Sequence, residues 1–411
     1  MLEKNKKENR DNDLMEKIVS LCKRRGFVFQ GSEIYGGLAG TYDWGHFGLA
    51  LKNNIKQNWW KKFVDGRRDM YGVDAAVLMN SKVWEISGHV AGFSDPTPDG
   101  KQFNVMFKTQ IGAGEEASVS YLRPETAQGM FVNFKNTVDA FHPKLPFGMA
   151  QVGKAFRNEI APRDFLFRQR EFEQMEIEYF VKQENWEKYF EYWKGEMLEW
   201  MQEVGLDMNK VHELEVEKED RAHYSSRTID FEFDYPFGKK ELFGLAYRTD
   251  FDLKNHKLDY IDEEEGEKII PHVIEPTFGV DRAVLALLVS VYAEDKKEGE
   301  VRSYLKFKPN IAPVICAVSP LLKNKPELVE YADLKVYVPL KAEFGRVAWD
   351  DNGNIGKRYR RQDEIGTPFC IVVDFDTLTD DTVTVRDRDT GEQERIRVAD
   401  LVKYIKERII H

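Results

Sequence analysis

The chain of 411 residues is 42% hydrophobic and 32% charged, with a formal net charge of −11. It is long enough for more than one folded core, because domains seldom exceed about 250–300 residues, and its apolar content excludes global disorder. The acidic balance argues against a general nucleic-acid coat protein but leaves room for a localised basic groove. No apolar run approaches the roughly 20 residues of a membrane span, and residues 1–13 lack a secretory pattern, so a soluble, cytoplasmic protein is expected.

The three cysteines, Cys22, Cys316 and Cys370, lie far apart and form no C-x-x-C pair. This spacing provides neither a disulfide framework nor a cysteine-based zinc module. We therefore expect three reduced thiols and no structural zinc.

The N-terminal part of the chain is predicted to contain a helix and an ordered loop. Residues 1–13 are expected to be a frayed, charged leader, followed by an apolar helix that ends near Gly26. Residues 31–48 are rich in Gly, Tyr and Trp, which favours an ordered loop beside a site.

The strongest helical pattern is an aromatic stripe over residues 183–204, which is typical of core packing. Strand alternation resumes at Ile229, so the helix belongs to an excursion of about residues 183–223 between strands. A charged stretch at residues 294–300 then marks a boundary between a large domain, 14–305, and a compact mixed α/β domain, 306–411.

The first segment that indicates chemistry contains Arg123, Glu125 and Thr126. The strand period of two places Arg123 and Glu125 on one face, and a helix can follow Thr126. Two interpretations remain: an ion pair at a helix entrance, or a carboxylate directed at a substrate ammonium group.

The second segment, residues 156–180, is predicted to form two antiparallel strands joined by a loop. Alternation places Arg157 and Glu159 on one face of the first strand. On one face of the second strand it places Arg170, Phe172, Gln174 and Glu176. One aromatic ring among charged and amide groups favours a platform for a charged planar ligand over a solvated hairpin.

Two further segments carry an arginine. Arg248 lies in the polar alternation of residues 245–252, which either an edge strand or a binding strand would explain. Residues 271–288 combine an apolar strand, a Pro-Gly junction and a buried helix whose first turn contains Arg282. A helix N-terminus with a guanidinium favours phosphate oxygens, and the other interpretation is a capped core helix with one salt bridge.

Phe156-Arg157-Asn158-Glu159 with the Phe172 strand resembles motif 2 of class II aminoacyl-tRNA synthetases, and Gly279-Val280-Asp281-Arg282 resembles their motif 3. The sequences around these motifs, Ile274-Glu275-Pro276 among them, are similar to the glycyl-tRNA synthetase family of the single-subunit dimeric type. The resemblance extends from Gly26 to Ile409.

The resemblance implies an α+β fold with a six-stranded antiparallel catalytic sheet flanked by helices, followed by a mixed α/β anticodon-binding domain. It implies a cytoplasmic homodimer that activates glycine with ATP and transfers the glycyl group to tRNA-Gly. The basic residues 356–361 would then contact single-stranded anticodon bases, whereas a solvated helix is the other interpretation.

The resemblance also implies the ATP site, with Arg157 and Arg282 as the catalytic residues. Arg157 would hold the α-phosphate, Glu159 would bind the adenine amino group, Phe172 would stack on adenine, and Arg168 and Arg282 would hold the triphosphate tail. The implied ATP pocket comprises Arg157, Asn158, Glu159, Phe167, Arg168, Gln169, Arg170, Glu171, Phe172, Glu241, Leu242, Gly279, Val280, Asp281 and Arg282.

For glycine, the resemblance implies ammonium binding by Glu125 and Glu275, with Arg248 and Thr277 nearby. The implied glycine pocket comprises Glu125, Phe172, Glu173, Gln174, Met175, Glu176, Arg248, Glu275 and Thr277. Glu241 is the expected Mg²⁺ ligand. Arginines and Mg²⁺ neutralise two anionic substrates, so in-line attack needs orientation rather than a protein nucleophile.

The sequence departs from the family pattern in three places. Residues 96–102 stand where relatives commonly have a long cysteine-containing insertion, Ser81 stands where bacterial relatives usually have proline, and Thr277 replaces the usual serine. Two other functions would suit the same fold: a catalytically silent synthetase-like binding protein, and an enzyme that makes glycyl-adenylate or dinucleoside polyphosphates without charging tRNA. The first function is disfavoured because the charged residues of the motifs are intact: Arg157, Glu159, Arg282, Glu125 and Glu275. The C-terminal domain weighs against the second.

Overall fold

The computed structural model describes the backbone of residues 2–262, 265–297 and 300–409, and the side chains of 13–262, 265–296 and 301–409. The first helix begins at Leu2, so the expectation of a frayed leader is wrong; residues 2–25 contain neither Gly nor Pro to interrupt a helix. The elements up to the first long strand are α1 (Leu2–Arg25), β1 (Val28–Gln30), β2 (Tyr42–Trp44), α2 (His46–Trp60), β3 (Met70–Gly72), α3 (Ser81–Ile86), α4 (His89–Gly92), β4 (Ser94–Pro96), β5 (Gln102–Asn104), β6 (Lys108–Ile111) and β7 (Ser118–Tyr121).

The middle of the chain forms the large sheet and the helices that cover it. Its helix α6 ends at Val204, and Gly205 follows at φ 94°, a left-handed conformation that favours glycine. The elements are α5 (Ala127–Phe141), β8 (Phe147–Phe156), β9 (Glu171–Val181), α6 (Trp186–Val204), β10 (Val211–Glu215), β11 (Arg227–Tyr235), β12 (Gly238–Thr249), α7 (Phe251–Asn255), β13 (Tyr260–Asp262), β14 (Glu267–Ile269), β15 (His272–Gly279) and α8 (Val280–Val291).

The large sheet has seven strands in the order β10-β11-β12-β15-β9-β8-β3. Six of them pair antiparallel, and β3 pairs parallel to β8 at the edge. The prediction of a six-stranded antiparallel sheet is therefore incomplete. The seventh strand is parallel because the chain from β3 to β8 is a long crossover that includes α5.

The main core lies between this sheet and the helices α2, α6 and α8. The predicted aromatic stripe is confirmed as core packing, because Trp193 and Trp200 of α6 are fully buried against Phe278 of β15 and its surroundings. Burial of each such side chain contributes on the order of 1.5–3 kcal/mol. The packing holds β9, β12 and β15 rigidly beside one another.

The C-terminal part forms a separate mixed sheet in the order β19-β18-β20-β21-β22, with a core of its own that begins at Ile315. The charged residues 294–297 lie in a strand that pairs antiparallel with residues 300–305. The main core extends past residue 305 to Val314 and also includes Ile365, and the domain boundary at residue 305 stays a prediction. The elements are β16 (Tyr292–Lys297), β17 (Glu300–Leu305), β18 (Cys316–Pro320), α9 (Pro326–Tyr331), α10 (Val338–Phe344), β19 (Val347–Trp349), α11 (Ile355–Ile365), β20 (Phe369–Val373), α12 (Thr377–Asp380), β21 (Thr382–Asp387), β22 (Gln393–Arg397) and α13 (Leu401–Ile409).

Two sequence expectations concern thiols and membranes. Cys22, Cys316 and Cys370 are buried and unpaired. Within the described ranges, no helix combines the length and the apolar character that crossing a bilayer requires.

Candidate active site

A cavity of about 430 Å³ opens where β12, β15 and β9 run side by side. Much of the predicted ATP pocket lines it: Arg157, Glu159, Phe167, Arg168, Gln169, Phe172, Glu241, Leu242, Gly279, Asp281 and Arg282. Glu173, Gln174 and Thr277 of the predicted glycine pocket line it too. A second cavity, of about 610 Å³, lies around the end of α5 and contains none of the predicted site residues.

Arg157 lies just beyond the end of β8, not within the strand. Strand β8 pairs with β9 only as far as Phe156, and the chain then turns, with the Glu159 amide donating to the Arg157 carbonyl at 2.7 Å. The prediction that Arg157 and Glu159 share a strand face is therefore wrong. The Arg157 guanidinium lies between the rings of Phe93 and Phe172, 5.2 and 5.3 Å from their centroids.

The other arginines of the cavity are held by carboxylates. Arg168 donates from Nε to Oε2 of Glu159 at 2.6 Å and from Nη2 to Asp95 at 3.1 Å. Nη1 of Arg282, in the first turn of α8, lies 3.1 Å from Oε2 of Glu241. These ion pairs keep both guanidinium groups at the cavity wall, where phosphate oxygens could replace the carboxylates.

Arg282 also stacks on an aromatic ring. Its guanidinium carbon lies 4.4 Å from the centroid of Phe167. Phe167 in turn packs against Tyr235 and Phe237. The position of Arg282 is therefore set by both charge and stacking.

Asp281 is committed to a buried ion-pair network that joins three elements. Its Oδ1 accepts from Lys52 of α2 at 3.0 Å, and its Oδ2 accepts from the Glu173 amide at 2.7 Å. Lys52 also lies 2.9 Å from the Glu173 carboxylate. The network fixes the first turn of α8, and with it Arg282, against β9.

Four residues of the predicted ATP pocket are not in the cavity lining: Asn158, Arg170, Glu171 and Val280. Val280 is in the main core, and Glu171 pairs with Lys154. Arg170 donates to the Ala39 carbonyl at 2.7 Å and to the Glu159 carbonyl at 3.2 Å. Arg170 therefore connects the glycine-rich loop of residues 31–48 to the site. This contact agrees with the prediction of an ordered loop beside a site.

That loop approaches the site closely at Gly40. Its φ of 75° is left-handed, and a Cβ there would lie 2.6 Å from the Pro162 side chain. Only glycine fits this contact without a shift of the neighbouring chain.

The strand period of two divides the predicted glycine residues of β9 between two faces. Gln174 and Glu176 are directed toward the site, whereas Met175 is fully buried in the main core. The Glu173 carboxylate is engaged by Lys52 and Lys56. The structure therefore does not bring the side chains of Glu173 and Met175 into the predicted glycine pocket.

Glu176 and Glu125 form the acidic part of the glycine pocket. Oε1 of Glu176 accepts from the Thr277 hydroxyl at 2.9 Å, and its Oε2 accepts from the Thr126 hydroxyl. Oε2 of Glu125 lies 3.2 Å from Nε2 of His89. Arg123 donates to the backbone carbonyls of Lys154 and Ala75, so the Arg123–Glu125 ion pair is not formed.

Arg248 is the buried cation of the same pocket. It donates to Asp252 from Nε and Nη2 at 2.7 and 2.8 Å, and to Oε1 of Glu275 from Nη1 at 2.7 Å. The ring of Tyr224 covers it, with the guanidinium carbon 3.7 Å from the ring centroid. Since β12 lies between β11 and β15, the edge-strand interpretation is wrong.

The buried acids differ in their affinity for protons. Burial alone would raise the pKa of Glu125, but the charges of His89, Arg248 and Arg157 lower it to about 2. Burial and the charge of neighbouring acids raise the pKa of Glu275, although Arg248 opposes them. Burial and the Glu125 charge likewise raise the pKa of Glu176.

Comparison with known proteins gives the family. The anticodon binding domain model matches residues 315–408, and the model of the class II tRNA synthetase core domain (G, H, P, S and T) matches residues 107–292. A "Glycine--tRNA ligase" of Caldanaerobacter subterraneus is 45% identical over 96% of this chain and 98% of its own length. The proteins of the same name from Lachnoclostridium phytofermentans and Thermus thermophilus are 46% and 44% identical, over 96% of this chain and 98% and 99% of their own.

This chain belongs to the glycine–tRNA ligase family. The prediction of an ATP-dependent glycine–tRNA ligase with a class II core and an anticodon-binding domain is thereby confirmed. The matched core domain contains the whole of the cavity lining described above.

The ligase cavity offers oxygen ligands suited to Mg²⁺, although the described residues include no cluster of three or more ligand side chains that could hold a metal unaided. Burial and the charges of Glu241 and Glu232 raise the pKa of Asp230 to about 7, so carboxylates crowd together beside Arg282. Mg²⁺ in nucleotide enzymes is commonly bound by one or two carboxylates together with substrate phosphates. The residues present fit that arrangement.

In the anticodon-binding domain of the ligase, two of the basic residues in the segment 356–361 are structural. Arg358 is buried and donates to the carbonyls of Asp351 and Gly353, both at 2.9 Å. Arg361 pairs with Asp350 at 2.6 Å. Lys357 and Arg360 are exposed on α11, so a nucleic-acid contact there would depend on them.

Several residues of the ligase site were not assigned from the sequence: His89, Asp252, Tyr224, Glu178 and Asp230. Two of them had a detectable signal, because Asp252 is four residues after Arg248 and Glu178 continues the alternation of Gln174 and Glu176. The others come from distant segments and had none.

Proposed function

We propose that this ligase activates glycine in the 430 Å³ cavity through clamps of arginine and carboxylate, and then transfers the glycyl group to tRNA-Gly. One observation carries the assignment of roles: Arg157 and Arg168, on either side of the loop between β8 and β9, and Arg282 of α8 converge on one cavity beside a buried acidic pocket. Arginine fits phosphate oxygens, and buried carboxylates fit an ammonium group.

In the activation step, an oxygen of the glycine carboxylate attacks the α-phosphorus of ATP, and the bond to the β-phosphate breaks to release pyrophosphate. Arg157 would stabilise the charge that develops on the α-phosphate, since the rings of Phe93 and Phe172 hold it in position. Arg168 and Arg282 would hold the remaining phosphates, and Glu159 and Phe172 would bind and stack on adenine.

The bound glycine would place its ammonium group among Glu125, Glu176 and Glu275. Thr277 fixes the Glu176 carboxylate, so its hydroxyl supports the pocket as the usual serine would. Arg248 compensates Glu275 and holds it in one orientation. A pocket closed around the α-carbon excludes larger amino acids sterically, which discriminates more strongly than a missing methylene in a roomy pocket could.

Glu241, with Asp230 beside it, would hold Mg²⁺ against the substrate phosphates. When bound, the ion neutralises phosphate charge and favours departure of pyrophosphate. Glu241 pairs with Arg282 in the structure, so one carboxylate can serve either a guanidinium or a metal ion.

In the second step, a hydroxyl of the terminal ribose of tRNA attacks the glycyl carbonyl and AMP leaves. The domain matched by the anticodon-binding model would contact the other end of the tRNA, with Lys357 and Arg360 as exposed cations. We further propose a cytoplasmic homodimer of the single-subunit type. The exposed Ile34 and Tyr35 of the ordered loop, each 86% exposed, support contact with a second copy.

The test is glycine-dependent pyrophosphate exchange measured beside tRNA charging. We expect both activities in the native chain, and a loss of exchange of about 10²–10³-fold or more in Arg157→Ala with an unchanged melting temperature. Arg68→Ala, at an exposed arginine of the same domain, is the matched control and should retain activity. Near-normal exchange in Arg157→Ala would refute its role.

The same assay separates the two other functions. Exchange without charging would support an enzyme that stops at glycyl-adenylate, and neither activity would support a silent binding protein. Light scattering tests the dimer, for which we expect twice the 47.9 kDa of the chain.

A further inference from the structure

Glu178 is a buried acid of β9 for which the proposed reaction has no use. Its exposure is 0%, and neither of its carboxyl oxygens has a hydrogen-bond partner among the described residues. It continues the site-facing alternation of Gln174 and Glu176. An ionised carboxylate in such a place would be costly, because burial removes water and nothing donates a hydrogen bond in return.

The neighbours of Glu178 add to that cost. Glu176 lies two residues away on the same face, and Glu275 lies on the adjacent strand β15, next to Ile274, which pairs with Tyr179. Arg248 of β12 is the nearest cation, but its donors are already bonded to Glu275 and to Asp252 of α7. Glu178 therefore lies among acids, and the donors of Arg248 are hydrogen-bonded to Glu275 and Asp252 rather than to Glu178.

The remaining ionisable groups around the pocket do not change this balance. Glu125, from the segment before α5, adds another negative charge and is paired with His89. The Tyr224 hydroxyl is neutral, since burial and nearby acids raise its pKa. Arg123 and Arg157 add charge nearby but donate to backbone carbonyls, so five carboxyl groups share the donors of one guanidinium, Arg248, and one imidazole, and they cannot all be ionised together.

We propose that Glu178 holds a proton before glycine binds, and that the pocket releases this proton to solvent when the glycine ammonium enters. The inference rests on the proposed binding of the glycine ammonium group in this pocket. Only the O–H bond of the Glu178 carboxyl group breaks in the step: its proton passes to solvent, the carboxylate keeps the electron pair, and the incoming ammonium provides the compensating positive charge. Glu178 is thus a positioning residue, which keeps the charge of the pocket balanced in both states.

The direction in which the pKa of Glu178 is shifted agrees with this assignment. Burial, followed by the charges of Glu275, Glu176 and Asp252, raises the pKa of Glu178 well above its usual range. Glu275 bonds directly to Arg248, which favours its ionised form, whereas Glu178 makes no hydrogen bond to a cation. Of these two neighbouring acids, Glu178 is therefore the one that keeps the proton.

The experiment is calorimetric binding of glycylsulfamoyl adenosine at about pH 7 in buffers of different ionisation enthalpy, which counts protons released per ligand. Acetylsulfamoyl adenosine, which lacks only the amino group, is the matched ligand. We expect the glycyl compound to release roughly half to one proton more than the acetyl compound. An equal count for the two ligands in the native chain would overturn the inference, whatever any variant does.

Two variants test whether the released proton comes from Glu178. Glu178→Gln should fold and bind both ligands, and the difference in proton release between them should disappear. Glu187→Gln, the same change at an exposed position of α6, should keep the full difference. A difference that persists in folded Glu178→Gln would place the proton elsewhere and refute the role of Glu178.

Thermal unfolding provides a second measurement. When the pKa of an acid is higher in the folded state than in the unfolded chain, the unfolded chain releases the proton first. The protein therefore loses stability as the pH rises from the pKa of the unfolded state toward the pKa of the folded state. The melting temperature of Glu178→Gln minus that of the native chain should therefore increase as the pH rises from about 5 to about 8. A constant difference across this range would contradict a protonated Glu178.

These results distinguish the inference from the proposed function. Binding of the glycyl compound without proton release would leave glycine recognition intact and remove only the role of Glu178. If the protein binds the two ligands equally well and catalyses no pyrophosphate exchange, both the inference and the proposed function are overturned.

Discussion

Nε2 of His89 lies 3.2 Å from Oε2 of Glu125, while Nδ1 of the same ring lies 2.8 Å from the Ser87 hydroxyl. Both His89 and Glu125 are buried. The ring is therefore held at both nitrogens, and one carboxylate oxygen of Glu125 has a fixed direction. This relationship links the short helix α4 to the proposed ammonium site.

The His89–Glu125 contact predicts an effect on glycine more than on ATP. His89→Ala should raise the KM for glycine about 10- to 100-fold, because a hydrogen bond to a charged group contributes roughly 1.5–3 kcal/mol. The KM for ATP should change little. Pyrophosphate exchange at varied glycine and at varied ATP measures both values.

A conservative variant separates positioning from folding. His89→Gln places an amide donor near the position of Nε2, and it should recover part of the glycine KM. Equal increases in both KM values, or no recovery with glutamine, would argue that His89 only supports the local fold.

Thr277 is predicted to act through its hydroxyl. Thr277→Val keeps the shape but removes the donor to Glu176, leaving a buried acceptor at a cost of about 1–3 kcal/mol, so the glycine KM should rise about 5- to 150-fold. Thr277→Ser keeps the hydroxyl and should stay within about threefold of the native value. If valine and serine behave alike, the hydroxyl has no part in glycine binding.

Glu241 is predicted to set the Mg²⁺ requirement. Glu241→Gln should raise the Mg²⁺ concentration for half-maximal exchange about 10-fold or more, since loss of a ligand weakens metal binding. Titration of Mg²⁺ at saturating ATP and glycine measures this, with exposed Glu330→Gln as the control. An unchanged Mg²⁺ requirement with a raised KM for ATP would instead assign Glu241 to the support of Arg282.

Lys52 is predicted to be essential for stability. Its ammonium group lies between the carboxylates of Glu173 and Asp281, and Lys52→Met would leave buried Asp281 without its cation and Glu173 with Lys56 alone. Breaking such a network costs about 3–5 kcal/mol. Urea unfolding measures the loss, with exposed Lys61→Met as the control. A variant as stable as the native chain would show that the two acids find other compensation.

Local pattern was sufficient for the parts of this protein that repeat along one element. The aromatic stripe of α6, the alternation of Gln174 and Glu176, and the placement of Arg282 in the first turn of α8 all follow from helical or strand periodicity. These features depend on residues close together in the chain, so a single sequence contains them. The class II motifs, which combine such features at fixed positions, identified the family.

Tertiary structure alone decided where β8 ends and which side chains meet. The period of two could not show that pairing stops at Phe156, because strand ends depend on the partner strand. Nor could it join His89 to Glu125, or Lys52 to Asp281, since these contacts connect segments brought together only by the order of strands and helices. The charge balance around Glu178 likewise exists only once four elements are packed, because burial and neighbouring charge are properties of the fold.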